Sequence, residues 1–129
     1  MPKTIRQTVT FKATPHDIYE MLMDSKQHSK FTEAKATVSR KIGGAFSAYD
    51  GYCSGTNLEL VADKKIVQSW RGSDWVHNHF STITFSLAQV KTGTRLTFIQ
   101  RNVPDNHYES IKQGWIEHYW SRMKELLNE

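Results

Sequence analysis

The sequence predicts an α+β fold in which one curved antiparallel sheet wraps around a long C-terminal helix, with two short helices after the first strand. Three observations carry this. Residues 36–103 break into six strand-like runs separated by turn signals. Residues 105–129 repeat apolar side chains at helical spacing. The turns between the strand-like runs are short, whereas a parallel pair needs a crossover of a dozen residues or more.

The first element is KTIRQTVTF at residues 3–11, where Ile5, Val9 and Phe11 share one face at period two, the pattern of a half-buried strand. ATPHDIYEMLMD comes next. Thr14 is placed to cap a helix, Pro15 suits its first turn and Asp17 stands three residues after the cap. Ile18, Met21 and Leu22 form the inward stripe of that short helix. A second short helix is expected from Ser25 to just before Ala34.

Gly43-Gly44, Asp50-Gly51, Asp63-Lys64-Lys65, Arg71 to Asp74 and Lys91-Thr92-Gly93 punctuate the chain beyond the two helices. They leave strands at 36–42, 45–50, 52–62, 66–71, 76–89 and 94–103. Gly55, inside the third of these, predicts a bulge or bend. In the last element Ile111, Trp115, Tyr119, Met123 and Leu126 recur at helical spacing, and Ile116, Trp120 and Leu127 widen the stripe. So broad an apolar face must lie against something large. Gly114 in mid-helix costs up to ~1 kcal/mol relative to alanine, which points to close packing or a bend.

The 129 residues fit one domain spanning residues 1–129, large enough to bury a core without staples. Aromatic residues make up 12% of it, which calls for a large core or an internal pocket. Cys53 is the single cysteine, so no internal disulfide forms and a reducing, cytoplasmic compartment is expected. The N-terminus lacks the apolar stretch of a signal peptide, and no window approaches a membrane span. The net charge of +4 is spread along the chain rather than gathered in one tract. That argues against nucleic acid and leaves room for an acidic protein partner.

His77 and His79 are two residues apart on the expected strand 76–89, so they share a face and invite comparison with a zinc site. A zinc site needs three or four ligands, and no third histidine or carboxylate matches their parity, so no metal is expected. Asp17 and Glu20 on the first helix, and Glu117 and His118 on the last, read as solvated helix faces. No nucleophile elbow or phosphate loop is present. Phe46, Trp70, Ile83, Phe85, Leu96 and Phe98 fall on the concave side of the sheet, opposite Trp115, Tyr119 and Met123. They make either a filled core or the lining of a cavity for a small hydrophobic ligand.

FKATPHDIYEMLMD, GGAF, SGTNLELVADKKIVQSWR, HFSTITFSL and VPD followed by GWIEHYW, in that order, resemble the C-terminal domain of the activators of heat-shock protein 90 ATPase. That family belongs to the START/birch-pollen-allergen (SRPBCC) superfamily. The step from Trp70-Arg71 to Trp75, His79-Phe80 with its following strand, and Gly114-Trp115 are the most telling parts. The resemblance implies a helix-grip fold, a non-enzymatic co-chaperone-type module without cofactor, and the heat-shock protein 90 chaperone as partner. It places His79 at a family position beside the mouth of the sheet, where it joins the expected lining of that cavity. A monomer is expected, with a small hydrophobic ligand between sheet and helix as the alternative function.

Overall fold

In a computed structural model, which describes residues 2–129, strand β1 (Lys3–Phe11) buries Ile5 and Phe11. Helix α1 (Pro15–Met23) begins where the Thr14 hydroxyl accepts the Asp17 N–H at 3.1 Å. Asp24 both closes α1, its N–H donating to Glu20 O, and caps helix α2 (Ser25–Thr32), its carboxylate accepting the Gln27 N–H at 3.0 Å. Glu33, left-handed at φ 56°, ends α2.

Six strands come after the helices: β2 (Thr37–Val38), β3 (Ala45–Ala48), β4 (Cys53–Val61), β5 (Lys65–Gly72), β6 (Ser81–Val90) and β7 (Gly93–Val103). With β1 they form one antiparallel sheet in the order β1-β7-β6-β5-β4-β3-β2. The chain returns to the sheet as α3 (Tyr108–Trp115), a π-helical segment (Ile116–Trp120) and α4 (Ser121–Leu126). This is the expected order of elements, with the sheet gripping the last helix.

Four details differ from the sequence-based expectation. Strand β6 starts at Ser81 rather than at residue 76, because Asn78 is left-handed at φ 64° and residues 73–78 form turns. His77 and His79 therefore do not share a strand face. Strand β2 is cut to Thr37–Val38, where its pairing with β3 ends. The β4 irregularity lies between Asn57 and Glu59 rather than at Gly55. Gly55 instead marks a close approach, since a Cβ there would fall 1.8 Å from Ser69 O. The last helix starts at Tyr108, after a 3-10 turn at Asp105–His107, and is interrupted by the π segment.

The core lies between the inner rows of β6 and β7 and the last helix. Trp115 stacks obliquely 4.3 Å from Phe98 and 4.5 Å from Tyr119, and Trp120 packs 5.5 Å from Phe98. Such pairs contribute about 0.5–1.5 kcal/mol each beyond their buried area. Phe11, Leu96, Phe98 and Met123 are fully enclosed.

Candidate functional site

The π segment interrupts the regular hydrogen-bond ladder of the last helix. The Ile116 N–H bonds back to Gln113 O and the Ser121 N–H reaches Ile116 O, five residues earlier. Two side chains from the sheet side bond to helix carbonyls around this irregular stretch. Gln7 Nε2 donates to Lys112 O at 3.0 Å, and the Tyr49 hydroxyl donates to His118 O at 2.8 Å. Such segments recur at functional sites because they reorient side chains without ending the helix.

An open groove of about 590 Å³ runs beside this segment. Its sheet wall is Tyr49, Tyr52, Cys53 and Trp70; its helix wall includes Ile111, Gly114, Trp115, His118 and Tyr119. Gly114 faces this open space: a Cβ there would meet only His118 Cδ2, at 3.9 Å. The glycine thus widens the groove and answers to no close packing. Tyr49 and Asp50 are both left-handed, at φ 52° and 55°, in the turn between β3 and β4. The turn is held by Asp50, whose carboxylate accepts the Lys35 N–H at 2.8 Å. That holds Tyr49 over the helix, at the rim.

Beneath the groove the polar groups are satisfied by one another. Trp115 Nε1 donates to Gln100 Oε1 at 2.8 Å, Gln100 Nε2 to Ser81 Oγ at 2.9 Å, and Ser81 Oγ to Trp70 O at 2.8 Å. Trp120 Nε1 donates to Gln7 Oε1 at 2.6 Å. On the α2 side His28 Nδ1 lies 3.0 Å from Leu22 O, which can only accept, so Nδ1 carries the proton. Nε2 then accepts from the Tyr119 hydroxyl at 2.7 Å. Burial lowers the His28 pKa and raises that of Tyr119. Burial also pushes the Cys53 thiol and the Tyr49 and Tyr52 hydroxyls up to about 12.

The cavity residues expected from sequence divide between four places. Trp70, Trp115 and Tyr119 line the open groove. Phe46, Ile83 and Phe85 join those three around a second space of about 10 Å³, room for roughly one water. Phe98 and Met123 are enclosed in the core and line neither space. His79 is outside both, in the loop before β6, with Nε2 2.9 Å from Asn102 O and its ring against Trp75 at 5.7 Å. Sequence reasoning missed Tyr49, Tyr52 and Gly114 as groove residues. Tyr49 and Tyr52 flank a turn whose approach to the helix depends on left-handed backbone at non-glycine positions, and no local pattern announces that. Among the described residues no three His, Cys, Asp or Glu side chains gather in a metal-binding arrangement. No helix there is long and apolar enough to cross a membrane.

A family model described as "Activator of Hsp90 ATPase homolog 1-like protein" matches residues 12–128. The human "Activator of 90 kDa heat shock protein ATPase homolog 1" is 34% identical over 118 residues, 92% of this chain and 35% of that protein. An "Activator of 90 kDa heat shock protein ATPase homolog" from Dictyostelium discoideum is 32% identical over 128 residues, 98% of this chain and 33% of its own length. The chain thus spans about a third of the curated relatives it matches. The crystal structure of an HSP90 activator from Plasmodium falciparum superimposes with a TM-score of 0.90 at 26% identity. That alignment covers 97% of this chain and 96% of the other.

Proposed function

Because this chain belongs to the family of activator of Hsp90 ATPase homolog 1-like proteins, we propose that it is a non-enzymatic module that docks on the heat-shock protein 90 chaperone. The observation that carries this reading is a family match running from residue 12 to residue 128, across nearly every element of the fold. The chemistry around the groove is consistent with binding rather than catalysis. Cys53, Tyr49, Tyr52 and Tyr119 are held protonated at neutral pH, and His28 is held neutral by its burial. None of them is poised as a nucleophile. In this reading residues 1–129 act as a single monomeric module in the cytoplasm, without cofactor and without nucleic-acid or membrane partners. The test is titration of the isotope-labelled chain with the chaperone and nucleotide, followed by chaperone ATPase rates. Unchanged spectra at high micromolar concentration sink the proposal.

The groove supports a second reading, a carrier of a small hydrophobic ligand. At about 590 Å³ it lies within the range of small-molecule sites, and Trp70, Trp115 and Tyr119 give it an aromatic lining. An apolar fluorescent probe whose emission is unchanged by the native protein, while Trp fluorescence also stays unquenched, counts against this carrier role.

A further inference from the structure

Charge in this protein is sorted by structural element. Among the described residues the chain has 13 carboxylates, and Glu59 is the one on any strand. It lies on β4, where Lys65 pairs with it at 3.5 Å. The strands carry cations instead: Lys3, Arg6, Lys65, Arg71, Arg95 and Arg101. Alternation along β1, β5 and β7 turns Arg6, Arg71, Arg95 and Arg101 away from the helix, onto the outer face of the sheet.

The register shows how that face is built. Arg6 lies opposite Ile99, which lies opposite Thr84, which lies opposite Val67. Arg95 stands between Thr10 and Ala88, and Arg101 opposite Thr82. Arg95 and Arg101, six residues apart on β7, are about 20 Å apart along the strand. Between the cations are Thr, Ser, Ala, Val and Ile. Lys3, His16, Arg40, Lys65 and Arg122 have carboxylate partners within ion-pair distance; Arg6, Arg95 and Arg101, among the described residues, do not.

We propose that this outer face of β1, β7, β6 and β5 is a docking surface for an acidic protein surface, with Arg6, Arg95 and Arg101 receiving its carboxylates. The proposal rests on the chaperone-docking reading above and names the face that makes the contact. Four of the six arginines lie on strands, against two of the eleven lysines. The planar guanidinium binds carboxylates two-pronged, and protein interfaces are enriched in arginine and depleted in lysine. Nucleic-acid platforms on sheets use outward aromatic rings to stack bases, and these outer rows hold none. The exposed ring at the margin, Phe80, is overlain by Arg71 with its guanidinium carbon 6.0 Å away. The unpaired arginines sit among small and β-branched side chains, so a partner gains ion pairs without breaking native ones.

The test compares affinity for the heat-shock 90 chaperone, across salt concentrations, for the full chain, for R6E/R95E/R101E and for the control K26E/K30E/K35E. The control makes the same change in net charge at exposed lysines in and just after α2. Circular dichroism confirms that each variant is folded, and the single substitution R95E serves if the triple is not. The expected result is a loss of about tenfold or more for the arginine variant, with a shallower salt dependence, and near-native affinity for the lysine control. Native affinity in the arginine variant, or equal loss in both triples, overturns the docking face while leaving chaperone binding intact. No binding by the unaltered chain overturns the chaperone reading and this partner with it. A short DNA duplex that shifts the signals of the three arginines while the chaperone leaves them unmoved overturns a protein partner.

Discussion

His28 accepts a 2.7 Å hydrogen bond from the hydroxyl of Tyr119, tying α2 to the π segment across 91 residues of sequence. The same imidazole stacks on Phe31 at 5.1 Å, and Phe31 in turn meets Tyr119 edge-on at 5.4 Å. The tie is neutral and fully paired, with Nδ1–H on Leu22 O and Nε2 on Tyr119. It therefore fixes Tyr119 and the π segment against α2, while the groove stays open along Ile111, Gly114 and His118.

That tie makes stability depend on pH. Burial lowers the folded pKa of His28 below 6.5, so as pH falls the unfolded chain takes up this proton first. The stability contributed by neutral His28 is complete above about pH 6.5 and declines as pH drops from there towards the lowered native value. Urea midpoints for the native protein should fall between about pH 7 and pH 5, and His28→Gln should flatten that slope. His16, whose pKa is raised by the Asp63 carboxylate, works in the opposite sense. Its contribution is complete below 6.5 and lost as pH rises through the raised value. An unchanged slope in His28→Gln assigns the dependence elsewhere.

Gln100 is the second buried polar tie, bridging the Trp115 indole to Ser81 with no exposure of its own. Gln100→Leu should cost about 1–3 kcal/mol, because it leaves the Trp115 Nε1–H buried without an acceptor. Trp115→Ala should cost about 3–5 kcal/mol, since it removes a ring packed against Phe98 and Tyr119. In the double variant Gln100→Leu, Trp115→Ala the two losses should fall short of their sum, because each removes the same hydrogen bond. Strict additivity by urea denaturation breaks that link.

The order of elements was legible from residues 3 to 129 because each rests on a local rule. Thr14 caps, glycine and aspartate punctuate, and alternation marks β1, β5 and β7. The features that escaped depend on contacts distant in sequence. Tyr49 and Gln7 reach helix carbonyls 69 and 105 residues away, and no periodicity reports the π segment beside them. His77 and His79 were misplaced because the alternating pattern runs on past Asn78, where the backbone turns left-handed. The charge sorting of the sheet was present in the sequence but unreadable before the strands were paired, since Arg6 lies far along the chain from Arg95 and Arg101 and reaches them only through the β1–β7 pairing.

Cys53 provides a probe of the groove. Its thiol lines the wall yet is 2% exposed, donates towards Ala48 O at 3.7 Å, and is pushed up to about 12 by burial. An aromatic disulfide reagent at about pH 8 should label it in native buffer only as fast as the protein opens, and completely in urea. Rapid stoichiometric labelling of the native protein shows instead that the groove admits the reagent as far as Sγ.

Gly114 separates the two functional readings by stability and binding together. Its backbone is helical and a Cβ would meet nothing closer than 3.9 Å, so Gly114→Ala should stabilise the helix by about 0.4–1 kcal/mol. A larger side chain at the same position, as in Gly114→Leu, projects into the groove beside Trp115 and His118. If the groove carries a hydrophobic ligand, Gly114→Leu should abolish uptake of an apolar probe while keeping the fold. If the sheet's outer face does the docking, the same variant should keep its affinity for the chaperone, because position 114 is on the helix side of the sheet. Thermal melts, probe fluorescence and chaperone titration on these two variants check all three outcomes, and a drop in stability for Gly114→Ala means the glycine answers to packing after all.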